Sequence, residues 1–142
     1  MGTTFSPVQL SLRGQPGERA EMVRGLEAFC LGASVPRAVA NAADVALEEH
    51  LTNVLGHGYE PGTPHDVVVE LKIEGGWMHL EVCDDGKDFN PLALPPPDTS
   101  LPLEEKPIGG LGVHLIRHLM DEVSYARLNG KNVFRMKKRL AA

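Results

Sequence analysis

Residues 108–138 read IGGLGVHLIRHLMDEVSYARLNGKNVFRMKK, a stretch that predicts a glycine-rich helix start followed by a β-hairpin. Apolar residues at helical spacing follow the glycines: Val113, Leu115, Ile116, Leu119 and Met120. Residues 123–128 and 132–138 then have strand character, and the Asn129-Gly130 pair between them is typical of a two-residue turn. The chain therefore closes with a helix and two antiparallel strands.

The segments upstream predict three more strands and two more helices. Residues 8–12 alternate as in a half-buried strand, and residues 67–73 and 77–83 form a hairpin around Glu74-Gly75-Gly76. Helices are predicted over residues 18–31 and over residues 36–55, with a stop at Gly56-His57-Gly58. The predicted fold class is α+β: a two-layer sandwich with three helices on one face of a mainly antiparallel, mixed sheet.

Composition indicates one globular domain over residues 1–142, because 42% of the residues are apolar and 23% are charged. The net charge of −5 argues against a general nucleic-acid binder. The two cysteines, Cys30 and Cys83, form no CxxC motif, so a disulfide framework is not expected. No secretory signal and no membrane-length apolar run is evident, so we expect a soluble cytoplasmic protein that binds neither nucleic acid nor membrane.

The second predicted helix carries a polar stripe of Glu49, Asn53 and His57, spaced i, i+4 and i+8. It lies roughly opposite the apolar side of that helix, so simple solvent exposure is one interpretation. The chemistry of the groups favours another, since a carboxylate can accept a proton and an amide oxygen can bind a hard cation.

Two further segments are suited to holding a nucleotide. Asp84-x-Gly86 follows a strand, where a carboxylate can accept a hydrogen bond from a planar amine and glycine lets a ring approach the backbone; an ordinary turn is the alternative. Gly109-Gly110-Leu111-Gly112 opens a helix, whose free N–H groups favour an anion, although a linker would also fit. Residues 91–107 between them are rich in proline and lack periodicity, which predicts a functional loop.

Taken together, these three segments resemble the N, G1 and G2 boxes of the Bergerat-fold (GHKL) ATPases. The sequence is most similar to the stand-alone bacterial anti-sigma-factor serine/threonine kinases of that superfamily. The similar stretches are LEEHLTNVLGHGY at residues 47–59, DDGKDFNP at residues 84–91 and the closing residues 108–138. The resemblance extends over about residues 8–139.

The resemblance implies a role for each box. Glu49 would be the general base that activates the attacking hydroxyl, and Asn53 would bind the Mg²⁺ that bridges the ATP phosphates. Asp84 would hold the adenine amino group with Gly86 against the ring, and residues 91–107 would be the ATP lid. The remaining nucleotide contacts would come from His57, Ile108, Gly109, Gly110, Leu111, Gly112, Val113 and His114.

Four features need separate interpretation. Asp88 occupies the position of the second glycine often found in the family's second box, where a carboxylate would narrow the pocket or add a charge near the phosphates. Glu48 adjoins Glu49, but only Glu49 stands four residues before Asn53 on the same helix face.

His114 and His118 have the spacing of a pair of metal ligands on one helix face, but no third ligand is evident in the sequence. Tyr125 is interpreted as a packing residue.

The resulting functional hypothesis is an ATP-dependent protein serine/threonine kinase that also sequesters a sigma factor. By resemblance, its substrate would be a serine on a STAS-type anti-sigma-factor antagonist, its cofactors would be ATP and Mg²⁺, and it could form a homodimer. The alternative is a nucleotide-gated regulatory binding module with little or no kinase activity. The presence of Glu49 favours the kinase.

Overall fold

Five strands form one sheet in the computed structural model, which describes residues 5–60, 62–93 and 110–141. The strands are β1 (Phe5–Leu12), β2 (Val67–Glu74), β3 (Trp77–Asp84), β4 (Glu122–Leu128) and β5 (Lys131–Arg139). Their order across the sheet is β1-β2-β3-β5-β4. Every ladder between the described strands is antiparallel, so the parallel component of the predicted mixed sheet is not seen in these ranges.

Tight glycine turns close both hairpins, as the sequence predicts. Gly75 and Gly76 join β2 to β3 with φ values of 59° and 82°, and Asn129 and Gly130 join β4 to β5 with φ values of 52° and 76°. Two consecutive positive φ values match the twist of the flanking strands, and glycine and asparagine tolerate them. The second turn sets the β4–β5 register, which the site described below requires.

The three helices are α1 (Glu18–Gly32), α2 (Arg37–His57) and α3 (Gly110–Leu119). Helix α2 begins after Pro36, as predicted, but continues two residues past the expected end at Leu55. The N–H of Gly58 donates to the carbonyl of Val54 at 2.8 Å and closes the last turn. The first residues of the predicted lid, Pro91–Ala93, form a 3-10 turn, and the remainder of the lid lies outside the described residues.

The helices cover one face of the sheet, and that interface forms the core. Inward-facing residues of β2 and β3 alternate with outward-facing ones, which is the burial pattern of strands with one covered face. The core joins these strands to all three helices through Val69, Leu71, Leu80, Leu26, Leu47, Leu51 and Ile116. Each fully buried side chain of this size contributes roughly 1.5–3 kcal/mol. Leu115, one of the apolar residues at helical spacing in α3, is 38% exposed.

The opposite face of the sheet is charged. Arg135 donates to Glu81 at 2.8 Å, and Lys137 pairs with Glu122 at 3.0 Å. None of the helices within the described ranges combines the length and hydrophobicity needed to cross a bilayer.

Candidate functional site

The polar stripe of α2 does not lie on an open surface. Glu49 is partly exposed and His57 is exposed, but Asn53 is only 2% exposed. Helix α2 packs against the sheet on one side and α3 on another, so its polar side is partly enclosed. The Nδ2 atom of Asn53 has no hydrogen-bond partner among the described residues.

The glycine-rich start of α3 lies directly against this stripe. A Cβ on Gly112 would sit 2.8 Å from Oε2 of Glu49 and 3.8 Å from Nδ2 of Asn53. A side chain at Gly112 would therefore displace the Glu49 carboxylate, which is the flexible end of a long side chain. Two of the segments predicted from the sequence are therefore in contact: the polar stripe of α2 and the glycine-rich start of α3.

The first turn of α3 supplies backbone N–H groups that have no partner within the helix. These belong to Gly110, Leu111 and Gly112, and the helix dipole adds a positive partial charge there. The Val113 side chain is buried in the core, so its predicted ligand contact could come only from its backbone. His114 is half-buried, whereas Ile108 and Gly109 lie outside the described residues.

Asp84, the last residue of β3, is a buried carboxylate with fixed hydrogen bonds. Its Oδ1 accepts from the Gly86 N–H at 3.0 Å and from Nδ2 of Asn132 at 2.9 Å. Burial raises the pKa of Asp84 above its ordinary value, and these two donors oppose that rise. A Cβ on Gly86 would lie 2.7 Å from the carbonyl oxygen of Gly58, so Gly86 sits against the end of α2.

Asn132 is a site residue that sequence reasoning missed. Besides contacting Asp84, its Nδ2 donates to the carbonyl of Lys87 at 2.7 Å, and its Oδ1 accepts from the Phe89 N–H at 3.3 Å. The side chain thus fixes both Asp84 and the loop that follows β3. The sequence could have indicated this role of Asn132 only through the strand register, which places Asn132 directly opposite Asp84.

Tyr125 continues this network and is more than the packing residue expected from the sequence. Its hydroxyl lies 2.5 Å from Oδ1 of Asn132 and 3.0 Å from Oδ1 of Asp88. Burial and the Asp88 carboxylate raise the pKa of Tyr125, so the hydroxyl stays protonated and can donate. Asp88, the departure from the family's second box, therefore forms the outer end of a chain that leads to Asp84.

His50 is the second residue that sequence reasoning missed. It is 2% exposed, and its ring lies 4.1 Å from that of Phe134 between centroids. Neither ring nitrogen has a hydrogen-bond partner within the described part of the chain. Burial lowers the pKa of His50 to about 3, so the imidazole is neutral at physiological pH.

A small cavity brings these residues together. His50 and Asp84 line it with Phe89, Asn132, Tyr125, Phe134, Val54, Gly58 and Pro91. Its volume of about 10 Å³ has room for at most one water molecule. Phe89 stacks on His57 with a centroid separation of 4.5 Å and an interplanar angle of 9°. His57, which the sequence predicts to contact the nucleotide, therefore contacts a protein side chain in this structure. A planar base could enter only if Phe89 and Pro91 moved.

The antiparallel sandwich and its glycine-rich helix start have the architecture of the Bergerat-type ATPase fold. A solved structure of the RsbU and RsbW domains of Rv1364c from Mycobacterium tuberculosis superposes with a TM-score of 0.68 and 15% identity, covering 95% of this chain and 32% of that one. Residues 12–138 match the profile of the histidine kinase-like ATPase domain. The chain belongs to that family.

Several curated proteins share sequence with this chain, and two of them are described here. The serine/threonine-protein kinase BtrW of Bordetella bronchiseptica is 31% identical over 85 residues, which are 60% of each protein. The serine-protein kinase RsbW of Bacillus thuringiensis is 31% identical over 97 residues, which are 66% of this chain and 60% of the relative. The chain thus spans about 60% of the length of the curated relatives it matches.

Proposed function

We propose that this protein is an ATP-dependent protein serine/threonine kinase of the anti-sigma-factor type. The observation that carries the proposal is the contact between the α2 stripe and the α3 start, where a Cβ on Gly112 would strike the Glu49 carboxylate. A proton acceptor thereby lies beside a set of anion-binding N–H groups. The two curated relatives named as protein kinases support the same chemistry.

The residues at this contact fit a phosphate chain with its magnesium ion. The Glu49 carboxylate lies where a Gly112 side chain would be, and Asn53 offers a buried amide with an unpartnered nitrogen beside it. The backbone N–H groups of α3 would bind phosphate oxygens, and the Asn53 carbonyl oxygen would bind Mg²⁺. When bound, Mg²⁺ supplies positive charge that offsets the charge of the phosphates.

The base would bind at the other end of the site, against Asp84. A carboxylate oxygen accepts the hydrogen bond of an exocyclic amino group, and the network through Asn132 holds the carboxylate in place. Gly86 leaves the backbone beside it free of a side chain. Opening of Phe89 and Pro91 is required, because the cavity of about 10 Å³ is too small for a base.

Glu49 would act as the general base of phosphoryl transfer. Its carboxylate takes the proton of the attacking serine hydroxyl as the new O–P bond forms and the bond to the leaving ADP breaks. A base in this position typically contributes ~10²–10⁴-fold to the rate. It does not need to contact the nucleotide in the ground state.

The experiment compares Glu49→Gln with Glu48→Gln in ATP binding and in phosphoryl transfer. Glu48 is the matched control because it is the adjacent acid but is exposed on another side of α2. We expect Glu49→Gln to bind ATP within a few-fold of wild type while transfer to a STAS-type partner falls at least ~10²-fold. Glu48→Gln should behave as wild type.

The outcomes separate the kinase from the regulatory module. ATP binding without transfer to any STAS-type protein would favour the nucleotide-gated binding module. No rise in melting temperature with millimolar Mg-ATP would reject both, since each requires nucleotide binding. By resemblance, the proposed partners are a sigma factor, its STAS-type antagonist and a second copy of the chain. Size-exclusion chromatography of mixtures tests each of them.

A further inference from the structure

We propose that His50 donates a hydrogen bond to a ring nitrogen of the adenine base and so takes part in its recognition. This inference rests on the proposed nucleotide-binding function and adds a residue to it. It starts from a buried polar side chain whose presence the packing of the core does not explain.

His50 occupies a position on α2 where an apolar residue would pack. It stands three residues after Leu47 and four before Val54, both of which are buried in the core. Two buried nitrogens without partners destabilise a folded chain, because they lose their hydrogen bonds to water and gain none. Residues that break a local rule in this way are expected at functional sites.

The surroundings of His50 point to a planar, polar ligand. The imidazole lines the same cavity as Asp84 and Asn132, and the Phe134 ring covers one of its sides. The amide group of Asn132 has no hydrogen-bonding capacity left, because it already contacts four residues: Asp84, Lys87, Phe89 and Tyr125. Among the polar side chains described around this cavity, His50 is the one with both of its polar atoms unpartnered.

The hydrogen-bonding capacity of His50 complements that of Asp84. A neutral imidazole has one N–H donor and one acceptor nitrogen, and no protein partner fixes which nitrogen carries the proton. The carboxylate of Asp84 can only accept, which suits an exocyclic amino group. The N1, N3 and N7 atoms of adenine are acceptors, so each requires the donor that His50 has and Asp84 lacks.

The test measures binding of ATP and of its 1-deaza, 3-deaza and 7-deaza analogues to wild type and to His50→Phe by calorimetry. Each analogue replaces one ring nitrogen with C–H. We expect one analogue to bind wild type about 3- to 10-fold more weakly than ATP, which is the effect of one lost hydrogen bond. His50→Phe should bind ATP with a similar loss and should not distinguish ATP from that analogue.

Stability supplies a second measurement. His50→Phe removes two unpartnered nitrogens at similar size, so its melting temperature without nucleotide should exceed that of wild type. The matched control is His118→Phe, because His118 is exposed on α3, and it should change neither affinity nor base discrimination.

The outcomes distinguish this inference from the proposed function. Equal binding of ATP and all three analogues to wild type would overturn the role of His50 while leaving nucleotide binding intact. Unchanged ATP affinity in a folded His50→Phe would do the same. Absence of any ATP binding to wild type would overturn both. The analogue series on wild type needs no variant, so the result does not depend on the folding of His50→Phe.

Discussion

The backbone of Gly112 lies so close to Glu49 that a Cβ there would stand 2.8 Å from the Oε2 atom of the carboxylate. The first turn of α3 therefore limits where the end of the Glu49 side chain can go. Because the contact involves the mobile end of a long side chain, it constrains the chemistry of the site more than the stability of the fold.

Replacement of Gly112 by alanine should lower the rate of phosphoryl transfer and leave the stability of the fold nearly unchanged. The methyl group would displace the Glu49 carboxylate, and a misplaced base costs about 10²-fold in rate. Stability should change by less than about 1 kcal/mol, because the side-chain end can move and alanine favours the helix. Phosphoryl-transfer assays and thermal melting check the two expectations.

Gly56→Ala is the matched control for this variant. Gly56 also lies in a helix, and a Cβ there meets no atom within 4 Å. Its variant should retain full transfer. Equal rates for Gly112→Ala and wild type would show that Glu49 is not the base or is not held by α3.

Loss of Asn132 should destabilise the protein and weaken nucleotide binding together. The side chain is 5% exposed and contacts four groups, including Asp84 and Tyr125. Asn132→Ala leaves several buried polar atoms unpaired, so we expect a loss of about 2–4 kcal/mol in urea unfolding. Asn41→Ala is the control, because Asn41 is exposed on α2. Similar unfolding curves for the two variants would contradict the role assigned to Asn132.

Asp84→Asn should make the protein more stable at neutral pH but poorer at binding ATP. Because burial raises the pKa of Asp84 in the folded state, the wild type loses stability as pH rises from the ordinary value of 3.8 through that raised pKa. The neutral amide avoids that loss, so the two proteins should have similar stability at pH 3.5 and diverge at pH 7. Urea unfolding at the two pH values measures the difference.

The affinity of Asp84→Asn should fall for a geometric reason. Its oxygen would remain with the donors Gly86 and Asn132, which turns its NH₂ group towards the base. A donor would then face the adenine amino group, itself a donor. Calorimetry with Mg-ATP should show at least a 10-fold weaker affinity. Wild-type affinity would indicate that Asp84 does not contact the base.

His50 should make the wild type sensitive to mild acid. Its pKa is lowered to about 3 in the folded protein, whereas the unfolded chain has the ordinary value of 6.5. Unfolded chains therefore bind the extra proton first, and stability should fall below pH 6.5 with a slope approaching ~1.4 kcal/mol per pH unit. The difference between wild type and His50→Phe isolates this slope, because Asp84 is present in both. Parallel stability curves from pH 7 to pH 5 would contradict it.

The sequence predicted the elements of the fold well because their signals are local. The turns at Gly75-Gly76 and Asn129-Gly130, and the alternation in the strands that flank them, need no distant partner to be recognised. Leu115 belongs to the apolar residues at helical spacing in α3, yet α3 buries only part of its circumference and leaves that residue 38% exposed.

The features of the site that could not be predicted from the sequence depend on contacts between distant segments. Asn53 is buried because α3, which follows more than fifty residues later, packs over α2. The role of Asn132 depends on its position opposite Asp84 in the β3–β5 register. His50 stands on the apolar side of α2, and only the cavity beside it distinguishes it from a core residue.

The guanidinium of Arg117 on α3 donates to the carbonyl of Leu92 at 3.1 Å, which joins the described residues on either side of residues 94–109. The entropy of closing a chain between two fixed points grows only with the logarithm of its length. Doubling its length would cost about 0.6 kcal/mol. Variants with residues inserted into or removed from the segment 94–109 should therefore fold nearly as well as the parent.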